Sequence, residues 1–270
     1  NLFLEVLGRR PDGYHEVNTV MSSIDLCDSI KYALTKTPCI KLWSNRVELE
    51  SEDNLIFQVA SYLQSTYQVE LGVEIELEKR IPIAAGLGGG SSNAAVTLLA
   101  LNKLWDMKLG DEELHSVASK FGSDINFFLG GGTALASGRG ESISPIRDIE
   151  IPHILLVNPG LYISAAEAYK LIEPGYPVRS WNPVDDLSKS FNRLEPGIRK
   201  KYGLVDDILK MMESYHPKLA MMSGSGSTCF AIFDGNEALE QCKASFDQLG
   251  YWTHKTRTLN REEYQKCFQS

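Results

Sequence analysis

The sequence predicts an α+β protein in two lobes, and three observations carry that reading. Helical and strand-like segments alternate irregularly, without the even strand–helix cadence of a barrel or a doubly wound sheet. Of 270 residues, 43% are hydrophobic and 23% charged, a globular composition with ample material for a large core. No internal repeat or low-complexity tract is present. We place the boundary between the lobes near Glu150 and Ile151, which divides the chain into residues 1–150 and 151–270.

The elements follow in order. Residues 1–8 alternate Leu2, Leu4 and Val6 and read as a strand, interrupted by the turn-rich Arg9-Arg10-Pro11-Asp12-Gly13. Residues 20–33 continue as strand-like segments. Leu55, Val59 and Leu63 stand at helical spacing in residues 54–64, with cap candidates at 51–53. The clearest strand is 73–79, where Val73, Ile75 and Leu77 face one way and Glu74, Glu76 and Glu78 the other. A glycine-rich segment at 82–92 leads into helix formers at 93–105. A further helix spans 111–120, with Gly122 placed to end it. A short helix is expected at 123–128, and a glycine-rich strand region at 130–140.

In the second half, residues 153–158 form a buried-type strand closed by Pro159-Gly160, and 165–172 a helix. Residues 174–183 read as loop. Helices are expected at 204–215, 238–249 and 262–268. Strands are expected at 219–222, 228–233 and 253–258, the first two flanking Ser223-Gly224-Ser225-Gly226-Ser227.

Composition excludes some functions. The formal charge of −8, without Lys/Arg clusters, is a poor match to a nucleic-acid or membrane surface. Nucleotides remain open, since backbone amides bind phosphate without a basic surface. Five scattered cysteines without a CxxC pair suit neither a disulfide scaffold nor a zinc site, and point to a reducing compartment, cytoplasm or plastid stroma. No apolar run approaches membrane-spanning length. The chain opens at Asn1 inside a strand, so we expect the natural protein to begin further upstream.

The segment Gly86-Leu87-Gly88-Gly89-Gly90-Ser91-Ser92 carries the chemistry. Backbone without Cβ atoms lets consecutive amides converge on one anion, and a helix start adds the favourable end of its dipole. Ser91, Ser92 and Asn93 add side-chain donors and N-cap character. A P-loop needs a Gly-Lys-Ser/Thr ending that is absent, and GxGxxG fits only Gly86 and Gly88. The bland alternative is a tight strand-to-helix connection. Four glycines and two serines before a helix favour a phosphate site.

Pro82-x-x-x-Gly86-Leu87-Gly88-Gly89-Gly90-Ser91-Ser92 resembles the ATP-binding signature of the GHMP kinases, the superfamily of galactokinase, homoserine kinase and mevalonate kinase. Asn1-Leu2-Phe3-Leu4, Asp12-Gly13-Tyr14-His15, Glu52-Asp53-Asn54-Leu55, Gly122-Ser123-Asp124 and Ser223-Gly224-Ser225-Gly226 extend the likeness over nearly the whole chain. Asp12-Gly13-Tyr14-His15 narrows it to the branch whose acceptor is a diphosphocytidyl-methylerythritol alcohol. The resemblance implies a GHMP kinase fold, with a ribosomal-protein-S5-domain-2-like N-terminal lobe and a ferredoxin-like C-terminal lobe. It implies ATP as phosphoryl donor; ATP chemistry calls for Mg²⁺, expected to arrive on the nucleotide, with a serine of the loop as a candidate ligand and no dedicated metal ligands marked by the sequence.

Asp124 taken alone reads as a helix cap, whereas the resemblance makes it the catalytic base. A second catalytic group, a lysine, is implied two residues ahead of Asn1. Tyr14 and His15 alone read as a surface aromatic and a solvated histidine. The resemblance has Tyr14 stacking on cytosine, His15 hydrogen-bonding it, Tyr169 covering its other face and Asn1 orienting the substrate. Asn54 and Leu55 would border the adenine, although Leu55 also fits as helix core. Lys79 would lie near the nucleotide, although solvated strand-end lysines are common. Gly224, Ser225 and Gly226, otherwise a flexible turn, would close over the active site. Another GHMP kinase with a different alcohol, such as homoserine or a mevalonate derivative, stays open, as does a non-catalytic sensor on the same fold.

Overall fold

The structure is a computed structural model that describes residues 1–172, 178 and 187–268. The first half of the chain builds β1 (Phe3–Arg9), β2 (His15–Ser22), β3 (Ser29–Thr35), β4 (Ile40–Ser44), α1 (Leu55–Thr66) and β5 (Gly72–Glu78). After the glycine-rich segment come α2 (Gly89–Leu104), α3 (Asp111–Phe121), α4 (Ile125–Gly130), β6 (Thr133–Gly138) and β7 (Ser142–Pro145). Then follow β8 (Ile154–Asn158), α5 (Ala165–Lys170), β9 (Phe191–Asn192), α6 (Glu195–Lys201) and α7 (Gly203–Glu213). The chain closes with β10 (Leu219–Met222), β11 (Cys229–Ile232), α8 (Asn236–Gln248), β12 (Trp252–Thr256) and α9 (Arg261–Lys266). Among the described residues no helix is long and apolar enough to cross a membrane.

The chain forms two compact units that interleave along the sequence. One comprises Asn1–Asp25, Ala84–Leu87 and Gly131–Ser270, the other Leu26–Ile83 and Gly88–Gly130.

In the second of these, β3, β5 and β4 form a sheet with β5 in the middle, antiparallel to β3 and parallel to β4. The alternation along β5 sets its faces. Val73, Ile75 and Leu77 are buried, while Glu74 and Glu76 pair outward with Lys41 and Lys31 of the neighbouring strands. Helix α1 begins where the Asn54 side chain accepts from the Ile56 amide at 3.0 Å, so the N-cap is Asn54 and not one of the candidates at 51–53. Its stripe of Ile56, Val59, Ala60 and Leu63 packs with Ala94, Ala95, Leu98 and Leu101 of α2 and Val117 of α3 into one core. Gly122 ends α3 in extended rather than left-handed conformation, so it stops the helix without the expected glycine cap.

The other unit holds two sheets. One has the order β7-β6-β2-β1-β9. Its strand β1 departs from simple alternation, because Leu2, Phe3, Leu4 and Glu5 are all buried. The Glu5 carboxylate is held there by Arg193, whose Nε and Nη2 donate at 2.6 and 2.7 Å. The other sheet has the order β10-β11-β8-β12, antiparallel throughout, with α7 between β8 and β10 and α8 between β11 and β12. That is the ferredoxin-like arrangement. Leu155 and Val157 of β8 pack with Ile208, Leu209 and Met212 of α7 and Leu239, Cys242 and Phe246 of α8. The loop expected at 174–183 lies, apart from Val178, outside the described residues.

Candidate functional site

The glycine-rich loop leaves β5 through a tightly held segment. The Asn45 amide grips the Lys79 backbone, accepting from its N–H at 2.8 Å and donating to its carbonyl at 3.2 Å. The Asp28 carboxylate accepts from the Arg80 and Ile81 amides at 2.7 and 2.9 Å. Lys79 is buried rather than solvated. Its side chain is 6% exposed, is ion-paired with Asp28 and donates to Asn93 at 3.3 Å. Burial pulls its pKa below the ordinary lysine range, against the pull of Asp28. Pro82 is half-buried just beyond.

Helix α2 starts earlier than the sequence pattern suggests. Gly88 is its N-cap at φ +67°, and no side chain caps the end. Ser91 and Ser92 therefore fall inside the first turn, with the Ser92 amide already bonded to the Gly88 carbonyl at 2.9 Å. Asn93 is not a cap, since its side chain turns inward to Asp28 and Lys79. A helix start without a side-chain acceptor leaves its leading amides for another partner. Two close approaches explain glycine here. A Cβ on Gly88 would lie 2.7 Å from the Phe128 ring, and one on Gly89 would lie 2.8 Å from Lys79 Nζ. Gly90 is exposed, and Leu55 lies within 4.0 Å of where its Cβ would be. Asn54 is committed to capping α1 and to donating to the Leu49 carbonyl at 2.9 Å.

Asp124 stands immediately before α4. Its main-chain carbonyl accepts from the Phe127 amide at 3.2 Å, and the residue is exposed. The atoms crowded around its carboxyl nevertheless desolvate it and lift its pKa above the usual carboxylate range.

In the other unit, the segment Ala84–Leu87 meets the turn 223–227. The Ser223 hydroxyl donates to the Gly86 carbonyl at 2.9 Å, and the Thr228 amide to the Ala85 carbonyl at 3.2 Å. Two loops that the sequence marks 137 residues apart are thus joined. Gly86 tolerates no side chain, because a Cβ would sit 2.3 Å from the Ser223 carbonyl oxygen. The turn is not loose. Asn192 donates to the Met222 and Gly224 carbonyls, both at 2.8 Å, and Glu195 accepts from the Met222 amide at 2.8 Å. Gly224 and Gly226 are buried and Ser225 half-buried. Asn1 lies beside Gly224 and donates to the Thr19 hydroxyl at 2.8 Å. Leu87 is half-buried.

The aromatic residues expected to receive a base also fall in this unit. Tyr14 is 55% exposed, with the Arg139 guanidinium 4.8 Å from its ring centre. His15 opens β2 and stacks directly on Tyr169 of α5. Tyr14 and Tyr169 thus have different ring partners, Arg139 and His15. Burial lowers the His15 pKa, with Arg9 adding to the effect.

Five residues of these clusters escape sequence reasoning: Asp28, Asn45, Asn192, Glu195 and Arg139. Arg139 had a cue, the flanking Gly138 and Gly140 of a hairpin.

Comparison with known proteins agrees along the whole chain. The family model for the GHMP kinases N terminal domain matches residues 54–137, and that for the GHMP kinases C terminal matches 168–251. A 4-diphosphocytidyl-2-C-methyl-D-erythritol kinase of Geobacter sp. (strain M21) is 35% identical over 96% of both chains. The enzyme of that name from Thermoanaerobacter pseudethanolicus is 38% identical over 97% of this chain and 94% of its own. Among solved structures, a 4-(cytidine 5'-diphospho)-2C-methyl-D-erythritol kinase superposes with a TM-score of 0.82 at 29% identity, covering 96% of this chain and 97% of that one. A homoserine kinase from Cytophaga hutchinsonii, at 18% identity and TM-score 0.68 over 91% and 90%, shares the fold.

Proposed function

The chain belongs to the GHMP kinases and, within them, to the 4-diphosphocytidyl-2-C-methyl-D-erythritol kinases, and on that premise we propose how its residues divide the work. The reaction moves the γ-phosphoryl group of ATP to the 2-hydroxyl of 4-diphosphocytidyl-2-C-methyl-D-erythritol, giving ADP and the 2-phosphate, a step toward isoprenoid precursors by the non-mevalonate route. Phosphoryl transfer asks little covalent chemistry of a protein, so catalysis is mostly positioning and charge stabilisation.

One observation carries the assignment of the nucleotide site: α2 begins at a left-handed glycine with no side-chain cap. Its leading amides receive the phosphate oxygens, and Ser91 and Ser92 add hydroxyls. Asn54 and Leu55 border the adenine. Lys79, buried beside Gly89, adds its ammonium next to the loop. Asp124 orients the acceptor hydroxyl and takes its proton, a role that its lifted pKa suits. Among the described residues no three His, Cys, Asp or Glu side chains gather as metal ligands. Mg²⁺ arriving with the nucleotide would be held by a serine of the loop, Ser91 or Ser92, and would supply charge neutralisation at the phosphates.

Tyr14, His15 and Tyr169 receive the cytosine, with Asn1 orienting the polyol. The turn 223–227 holds the Ala84–Leu87 segment of its own unit through Gly86. The sequence division at 150 gives the nucleotide functions to the first domain. Five free thiols fit a reducing cytoplasm.

Assaying the purified protein with ATP against a panel of alcohols tests the assignment. Turnover of the cytidyl alcohol and not of homoserine is expected. The reverse preference would move the chain to another branch.

A further inference from the structure

Asp28 lies in no motif, yet its carboxylate accepts four hydrogen bonds from two separate stretches of chain. Oδ1 takes the Arg80 and Ile81 amides at 2.7 and 2.9 Å. Oδ2 takes the Lys79 ammonium and, at 2.9 Å, the Asn93 amide. Arg80 and Ile81 are the residues that deliver the chain into the glycine-rich loop. Asn93 lies in the first turns of the helix that receives it. The Asp28 side chain is 1% exposed and the Lys79 side chain 6%. Lys79 is pinned in turn, donating to Asn93 at 3.3 Å with its ammonium directly under Gly89.

A buried carboxylate with all its neighbours satisfied is a rigid node, and a node with one neighbour removed is costly. Its partners here are the two ends of one loop. Fixing both ends from a single atom group limits the conformations of the segment between them without touching a ligand, as a supporting shell must.

We propose that Asp28 is the positioning residue of the nucleotide loop, holding the segment after β5 and the start of α2 in the register that aims the α2 amides. This rests on the reading of that loop as the phosphate site. Removing the carboxylate releases Lys79 from under Gly89 and frees the Arg80 and Ile81 amides, so the loop samples conformations in which its amides diverge. The loss falls on ATP. The cytidyl alcohol, held by residues of the other unit, is unaffected in its own affinity.

Three variants test this: Asp28→Asn, Asp28→Ala and, as a control on the loop itself, Gly89→Val. KM for ATP and for the cytidyl alcohol are measured separately, with thermal melting to establish folding. Asp28→Asn keeps an acceptor for the two amides but turns an NH₂ toward Lys79 and Asn93. It should raise KM for ATP about tenfold, the equivalent of one charge-assisted hydrogen bond, and leave KM for the alcohol within about twofold. Asp28→Ala, where it folds, should raise it further. Folded Asp28→Asn with an unchanged KM for ATP, or with both KM values raised alike, overturns the positioning role while leaving the loop assignment intact. An unchanged KM for ATP in Gly89→Val removes the loop as phosphate site and this inference with it.

Discussion

His15 and Tyr169 stack face to face, their ring centres 4.8 Å apart and their planes 16° from parallel. The pair joins the first residue of β2 to the penultimate residue of α5. Offset stacks of this kind are worth about 0.5–1.5 kcal/mol beyond buried area. Tyr169→Ala should therefore cost more stability than that, since it also loses the ring's packing on the core, and raise KM for the cytidyl alcohol, with KM for ATP unchanged. Steady-state kinetics with each substrate varied in turn checks it. An unaltered KM for the alcohol would leave Tyr169 a core residue only.

The same histidine sets a pH dependence. Burial holds the His15 pKa below its ordinary 6.5, so the folded protein resists protonation that the unfolded chain accepts. Its contribution is constant above pH 6.5. As pH falls from 6.5 through the lower folded value, the unfolded chain binds the proton first and stability declines. A His15→Gln variant should flatten the melting temperature against pH over that window. Parallel curves for the two proteins would contradict this.

Asp124→Asn and Asp124→Ala together separate catalysis from capping. As catalytic base, Asp124 is worth about 10²–10⁴ in kcat, with ATP affinity retained. Its folded pKa is raised, so the charged form is disfavoured in the fold, and a neutral amide should melt no lower than wild type at pH 7. Asn caps a helix as well as Asp does, so an intact kcat in the Asn variant would remove the base role, and a lower melting temperature in Asp124→Ala would mark a structural cap.

Gly88→Ala meets two obstacles, φ +67° and the Phe128 ring 2.7 Å from the new Cβ. Left-handed backbone costs a non-glycine residue roughly 1–2 kcal/mol, and at this chain length each kcal/mol lowers Tm by about 2–4 °C. Adding Phe128→Leu should recover only the steric part. Full recovery of Tm would show that backbone strain is absent.

Much of this fold is legible in the sequence wherever periodicity is strong. The β5 alternation and the α1 stripe read correctly because one face of each is buried and the other is not, although the α1 cap is Asn54 rather than a residue of 51–53. β4 leaves a weak signature because it has only five residues and none of them is fully buried. β9 has only two residues and leaves no local signature, while α6 offers one start signal, Pro196 in its first turn, without a side-chain cap. The glycine loop announces itself through local backbone demands. Asp28 and Asn192 do not, since their partners lie 51–65 and 30–32 residues away and only folding brings them together.

The most direct measurement is a crystal structure of the protein with a non-hydrolysable ATP analogue. The amides of Gly89, Gly90 and Ser91 should lie within hydrogen-bonding distance of the β- or γ-phosphate oxygens. A nucleotide bound elsewhere, with those amides turned to water or protein acceptors, would contradict the account.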